Sequence, residues 1–183
     1  SHHHLWDFKA GRVNPRYFLD EILEDMNSGH NIVASVFIEC AAMFREDGPE
    51  EEKPLGETEF VNGIAAMSAS GLYGKTRIAA GIVGTANLEL GKPVADILEK
   101  HIELSGGRFK GIRVGATWDV SPDIINHRTE PRQCILLGEK FREGFAQLAK
   151  YDLSFEAWCY HPQIPDVTDL ARKHPNNQIV LDH

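Results

Sequence analysis

Short, nearly continuous apolar runs recur along this chain, with amphipathic segments between them. The runs are NIVASVFIECAA at 31–42, RIAAGIVG at 77–84, FKGIRVGA at 109–116, LSFEAWCY at 153–160 and QIVLDH at 178–183. Unbroken runs, as opposed to alternation, are how strands read when a parallel sheet is covered on both faces. The segments between them carry helical spacing. In GETEFVNGIAAMSAS, Phe60, Ile64 and Met67 fall at i, i+4 and i+7. PVADILEKHIEL starts with Pro93, suited to a first turn, and places Val94, Ile97, Leu98 and Ile102 in one stripe. RQCILLGEKFREGFAQLAKY sets Leu137, Phe141, Phe145 and Leu148 on one side, and PDVTDLARKH follows a strand end with Pro165. Strand then helix, repeated, demands parallel strands joined by right-handed crossovers.

Two architectures satisfy that repeat, an open doubly wound sheet and a closed (β/α)8 barrel. The open sheet often carries a glycine-rich phosphate loop after its first strand, and none stands there. ASGLYGKT at 69–76 ends like a phosphate-binding loop, but Ala69 occupies the first glycine position. It also precedes a strand-like run, whereas phosphate binding needs a strand before the loop and a helix N-terminus after it. Gly71 and Gly74 therefore read as turn residues.

With 183 residues, 42% hydrophobic and 25% charged, the chain has the composition of one globular domain spanning 1–183. Its net charge of −8, with Lys and Arg scattered, offers no basic stripe for nucleic acid and leaves small molecules as the expected partners. No apolar run approaches the ~20 residues that span a bilayer. The three cysteines, Cys40, Cys134 and Cys159, lack metal-ligand or redox spacing and read as reduced thiols of a cytoplasmic protein. Glu50, Glu51 and Glu52, flanked by prolines, read as a solvated loop. Nothing in these residues fixes an oligomeric state.

A barrel keeps its chemistry at the C-terminal ends of its strands. If SHHHLWD is the tail of a first strand, His2 and His4 project to one side, into the barrel mouth, and His3 faces away. The second run ends at Glu39, the fourth contains Arg113 and is followed by Trp118, the fifth ends at His161 and the sixth at His183. Each has an ordinary structural role open to it: Glu39 a buried hydrogen-bond acceptor, Arg113 a satisfied ion pair, His161 a loop histidine, and the histidine run the remnant of a purification tag. Together they make a constellation of His, Glu and Arg at strand ends.

SHHHLWD, SVFIEC, GETEFVNGIAAMSASGLYG, AAGIVGTANL, RFKGIR, HPQIPDVTDLARKHP and VLDH, taken in order, resemble the amidohydrolase-related TIM barrels. The similarity is strongest to the branch of sugar lactonases and the 2-pyrone-4,6-dicarboxylate hydrolase. In that family an HxH pair followed by Leu-Trp closes the first strand, which makes His2 and His4 native residues. The resemblance implies an incomplete barrel, with six of eight strands, beginning near Ser1, Val33, Ile78, Phe109, Leu153 and Ile179. A full barrel takes about 250 residues. The chain is expected to begin inside strand one and to stop at strand six, without the eighth-strand aspartate that serves the family as metal ligand or general base. Two uncovered sheet edges would favour association or poor solubility.

The activity implied by the resemblance is hydrolysis of a small cyclic ester, a lactone, by water at the barrel mouth. His2, His4 and His183 are then the catalytic residues and the ligands of a divalent metal such as zinc, although the same imidazoles can polarise a carbonyl without metal. Arg113, Glu39, Trp118 and His161 are the expected substrate-binding residues, Arg113 because a guanidinium offers carboxylates a bidentate fork. The alternatives are a decarboxylase of the same superfamily and a fragment without catalysis. The long segment at 42–75 is expected to cover the mouth and select the substrate.

Overall fold

In the computed structural model of the chain, residues 2–7, 16–124 and 132–183 are described. Ser1, where the first strand was expected to begin, lies outside them. The chain divides into two compact units, Ser1–Gly84 with Glu99–Phe109, and Thr85–Leu98 with Lys110–His183.

The first unit runs β1 (His2–His3), β2 (Trp6–Asp7), β3 (Arg16–Tyr17), α1 (Leu19–Met26), β4 (Ala34–Ile38), α2 (Leu55–Ala69) and β5 (Arg77–Gly84). β1 pairs with β4 in parallel, His2 opposite Val36 and His3 opposite Phe37. β4 pairs with β5 in parallel, Ile38 opposite Val83. A small antiparallel pair, β2 with β3, sets Trp6 opposite Tyr17. The core of this unit is Leu5, Ile22, Phe37, Ile38, Leu55, Val61, Ile78 and Ile82, all buried. Each such side chain taken fully out of water contributes about 1.5–3 kcal/mol, which offsets the cost of ordering the chain.

Next come α3 (Val94–Leu104), grouped with the first unit from Glu99 on, and β6 (Phe109–Gly115). The second unit continues with α4 (Glu139–Leu148), β7 (Ser154–Trp158), α5 (Ile164–Lys173) and β8 (Ile179–Leu181). β6 pairs with β7 in parallel, Arg113 opposite Glu156, and β7 with β8, Glu156 opposite Val180. Phe145 meets Phe155 edge to face with centroids 5.2 Å apart, and Phe141 meets the same ring at 6.0 Å. Leu88, Leu136, Leu148 and Leu170 close this core.

β1, β4, β5, β6 and β7 are each followed by a helix, and β8 ends the series. This is the α/β class of an incomplete (β/α)8 barrel with six of its strands. Among the described residues, no helix is long and apolar enough to cross a membrane.

Three local expectations are corrected. The buried face of α2 is Leu55, Thr58, Val61, Ala65 and Ser68, while Met67, read as part of the stripe, is exposed. Polar Thr58 and Ser68 face inward because each is hydrogen-bonded, Thr58 Oγ1 to His101 Nδ1 at 2.8 Å and Ser68 Oγ to Thr76 O at 2.9 Å. Segment 42–75 is therefore no continuous loop. The stripe expected from Leu137 breaks at Gly138, whose ψ of 134° is extended; Leu136 is buried in its place and α4 starts at Glu139. Gly71 and Gly74, at φ 81° and 98°, form the expected turn.

Candidate active site

Within the first unit, the strand period of two acts directly on the histidine run. His2 is exposed, His3 is 8% exposed against Phe37, and His4 is half-buried. His2 Nε2 and His4 Nε2 stand 3.3 Å apart. His4 Nδ1 lies 2.7 Å from Ile38 O. A carbonyl oxygen can only accept, so Nδ1 of His4 carries the proton and its Nε2 presents a lone pair beside His2. The pair suits a metal: two nitrogens each ~2.0–2.1 Å from one zinc ion sit about 3–4 Å apart, and a backbone carbonyl behind a ligating imidazole is the usual support. His3 differs in kind. Burial first, then the neighbouring His4 and His2, push its pKa down to about 4.

The end of β4 is built by two carboxylates. Glu39 is buried, and its backbone N–H donates to Val83 O at 2.8 Å, so the ladder with β5 continues past the strand. Glu57, on α2 and 1% exposed, accepts the backbone N–H groups of Cys40 at 3.0 Å and Ala42 at 2.8 Å through Oε1. Ala41 and Met43, in the same turn, hold the left-handed region at φ 62° and 57°. Two residues beyond His4, the Trp6 ring lies 5.9 Å from that imidazole and 5.9 Å from Tyr17. The Tyr17 hydroxyl donates to Asp25, and burial followed by that carboxylate raises its pKa.

The second unit holds the other candidates. Arg113 is buried, with Nη1 donating to Asp182 Oδ2 at 3.0 Å and its guanidinium 5.1 Å from the Trp158 ring. Glu156 shares this environment, and its carboxyl pKa is raised by burial first and by Asp182 second, against the opposing pull of Arg113. His183 is 55% exposed, with Nε2 3.6 Å from Asp182 Oδ2. Its backbone carbonyl accepts from Cys159 N at 3.2 Å. Trp118 is half-buried, and its carbonyl accepts from the buried Gln163 side chain at 2.8 Å. His161 is exposed, at the start of the short helical turn that contains Gln163.

The structure thus pairs His2 with His4 in one unit, and joins Arg113 to Asp182 and Asp182 to His183 in the other. Glu57, Glu156 and Asp182 were not foreseen. For two of them the signal was present: Glu156 and Asp182 are carboxylates set in apolar runs, LSFEAW and IVLDH, whereas Glu57 stands between Gly56 and Thr58 and carries no such mark.

The amidohydrolase family profile matches residues 1–183. The uncharacterized protein y4mH of Sinorhizobium fredii is 27% identical over 203 residues, spanning 100% of this chain and 60% of that protein. Among solved structures, an amidohydrolase from Burkholderia multivorans with bound zinc is similar at 22% identity and a TM-score of 0.65, over 100% of this chain and 56% of that one. The same organism's amidohydrolase with bound HEPES gives 21% and 0.63, over 100% and 55%. An amidohydrolase from Bifidobacterium longum subsp. infantis gives 18% and 0.55, over 100% and 59%. At these identities the likeness is one of fold, and the chain spans less than two thirds of each of these proteins.

Proposed function

The chain belongs to the amidohydrolase family, a family of hydrolases of small molecules, and on that premise we propose that it takes part in the metal-assisted hydrolysis of a small cyclic ester. The observation that carries this reading is the His2 and His4 pair, with ring nitrogens 3.3 Å apart and the His4 tautomer set by Ile38 O. In this reading His2 and His4 would hold the ion through Nε2, as the pair whose ring nitrogens the first unit brings together. A bound zinc ion supplies a Lewis acid for the carbonyl and a water of lowered pKa. The chain's own residues orient the ester. Glu39, Trp118 and His161 bind substrate in this reading, through the strand-end positions they occupy. Water adds to the carbonyl carbon and gives up a proton, the ring C–O bond breaks, and the departing alkoxide takes up that proton to become the hydroxyl of an open hydroxy acid. That zinc is bound in a Burkholderia relative of the same fold supports the choice of metal.

The test is zinc-loaded full chain against a panel of sugar 1,4- and 1,5-lactones, followed by acid release, with N-acyl amino acids and aromatic carboxylates as competitors. Lactone turnover that falls at least a hundredfold in His4→Ala supports the reading. Amide cleavage alone, carbon dioxide release, or turnover indifferent to His2→Ala and His4→Ala overturns it.

A further inference from the structure

The second unit keeps three charged side chains out of water on one face of its sheet. Arg113 on β6 is the register partner of Glu156 on β7, and Glu156 that of Val180 on β8. Asp182 lies two residues beyond Val180 and so returns to the same face. Arg113 has 4% side-chain exposure and Asp182 has 5%. An arginine held this way is poorly disposed to receive a substrate carboxylate, because doing so would break a buried ion pair.

What Arg113 touches is informative. Its Nη1 holds Asp182 Oδ2 at 3.0 Å, and its guanidinium lies 5.1 Å from the Trp158 centroid. Both neighbours reach one further residue. Asp182 Oδ2 is 3.6 Å from His183 Nε2, and the Trp158 and His183 rings meet edge to face at 6.2 Å. The imidazole is more than half exposed.

We propose that Arg113 is a positioning residue for His183: it fixes Asp182 with a hydrogen bond and Trp158 by stacking, and these two neighbours fix the imidazole. The inference deepens the hydrolase reading, since it takes His183, catalytic by the family resemblance, as a working group. Lysine cannot replace Arg113, because the task needs a planar group that donates at its edge and stacks on its face.

The test reads the imidazole itself. Long-range proton–nitrogen NMR of the zinc-free, 15N-histidine-labelled full chain gives a His183 signal, identified by its loss in His183→Gln. Arg113→Met, close in length but uncharged, is expected to move that signal toward the averaged tautomer and to speed modification of His183 by diethylpyrocarbonate several-fold. Arg113→Lys is expected to restore the signal only in part. Asp182→Asn, with Arg113 intact, gives the same shift and serves if Arg113→Met does not fold. A His183 signal unchanged in Arg113→Met or in Asp182→Asn overturns the inference, and so does a rise in KM for carboxylate-bearing lactones with the free protein's imidazole unmoved. Because the spectra need neither zinc nor substrate, absence of lactone turnover would defeat the hydrolase reading and leave this one standing.

Discussion

His2 and His4 face each other through their Nε2 atoms at 3.3 Å, and the outer nitrogen of His4 is tied to the carbonyl of Ile38 at 2.7 Å. The carbonyl makes the pair asymmetric. His4 has one tautomer available while neutral, and so arrives with its Nε2 lone pair already aimed at the space it shares with His2.

Zinc affinity should depend on both rings and not on the one between them. His2→Ala and His4→Ala are each expected to weaken zinc binding by more than a hundredfold, whereas His3→Leu should leave it within a few-fold of the parent. Titration calorimetry at pH 7.5, repeated at pH 6, checks this, because protonation of the free imidazoles must lower the affinity at the acid end. Equal losses in all three variants would mean that the effect is one of folding.

His3 sets a pH dependence of stability. Its pKa is about 4 in the folded chain, chiefly through burial, against about 6.5 when exposed. Above pH 6.5 the ring is neutral in both states and costs nothing through this route. As pH falls from 6.5 to 4 the unfolded chain takes up a proton that the folded chain refuses, so stability declines, by about 3 kcal/mol at full extent. Below pH 4 the decline from this group stops. Urea melts of the zinc-free protein should show this slope, and His3→Leu should flatten it; a slope unchanged in the variant would show that other groups carry it.

The alternation of the histidine run, the parallel strands and the strand-then-helix order were legible because each is a property of local period. Within the first unit the histidine pair was legible because His2 and His4 stand two residues apart, at the strand period. Arg113 was visible as a charge in an apolar run, but its partner was not, since Asp182 reaches it across two strand pairings and 69 residues of sequence. Helix α1 was missed although Leu19, Ile22 and Met26, all buried, give it a stripe at helical spacing, and the β2–β3 pair was missed because strands of two residues are too short to show a period.

Glu57 should prove a structural carboxylate with large leverage on the end of β4. Its Oε1 satisfies two backbone donors, Cys40 N and Ala42 N, on either side of a left-handed Ala41. Glu57→Ala removes two charge-assisted bonds and is expected to cost about 3 kcal/mol in denaturant unfolding. Glu57→Gln keeps an acceptor without the charge and should cost about half as much. A loss below about 1 kcal/mol for the alanine variant would mean that water replaces the carboxylate freely.

Two helical glycines should respond to alanine with opposite signs. Gly63, inside α2, has open space where a Cβ would stand, whereas a Cβ on Gly144, inside α4, would collide with the carbonyl oxygen of Leu88 and lie 2.9 Å from its carbon. At Gly63 the exchange only removes backbone freedom from the unfolded chain and improves helix propensity, a gain of about 0.5–1 kcal/mol. At Gly144 the same propensity gain is present, but the contact is with backbone, which cannot rotate away as a side chain would. Helix α4 must then lift from Leu88 and loosen the packing of Phe141 and Phe145, which are both fully buried. Gly144→Ala is expected to lose about 2–4 kcal/mol, the range of overpacked and disrupted cores. Paired thermal melts measure both at once, and because both sites are helical, any shared propensity term cancels in their difference. A Gly144→Ala protein as stable as the parent would show that α4 does not approach Leu88 so closely in solution.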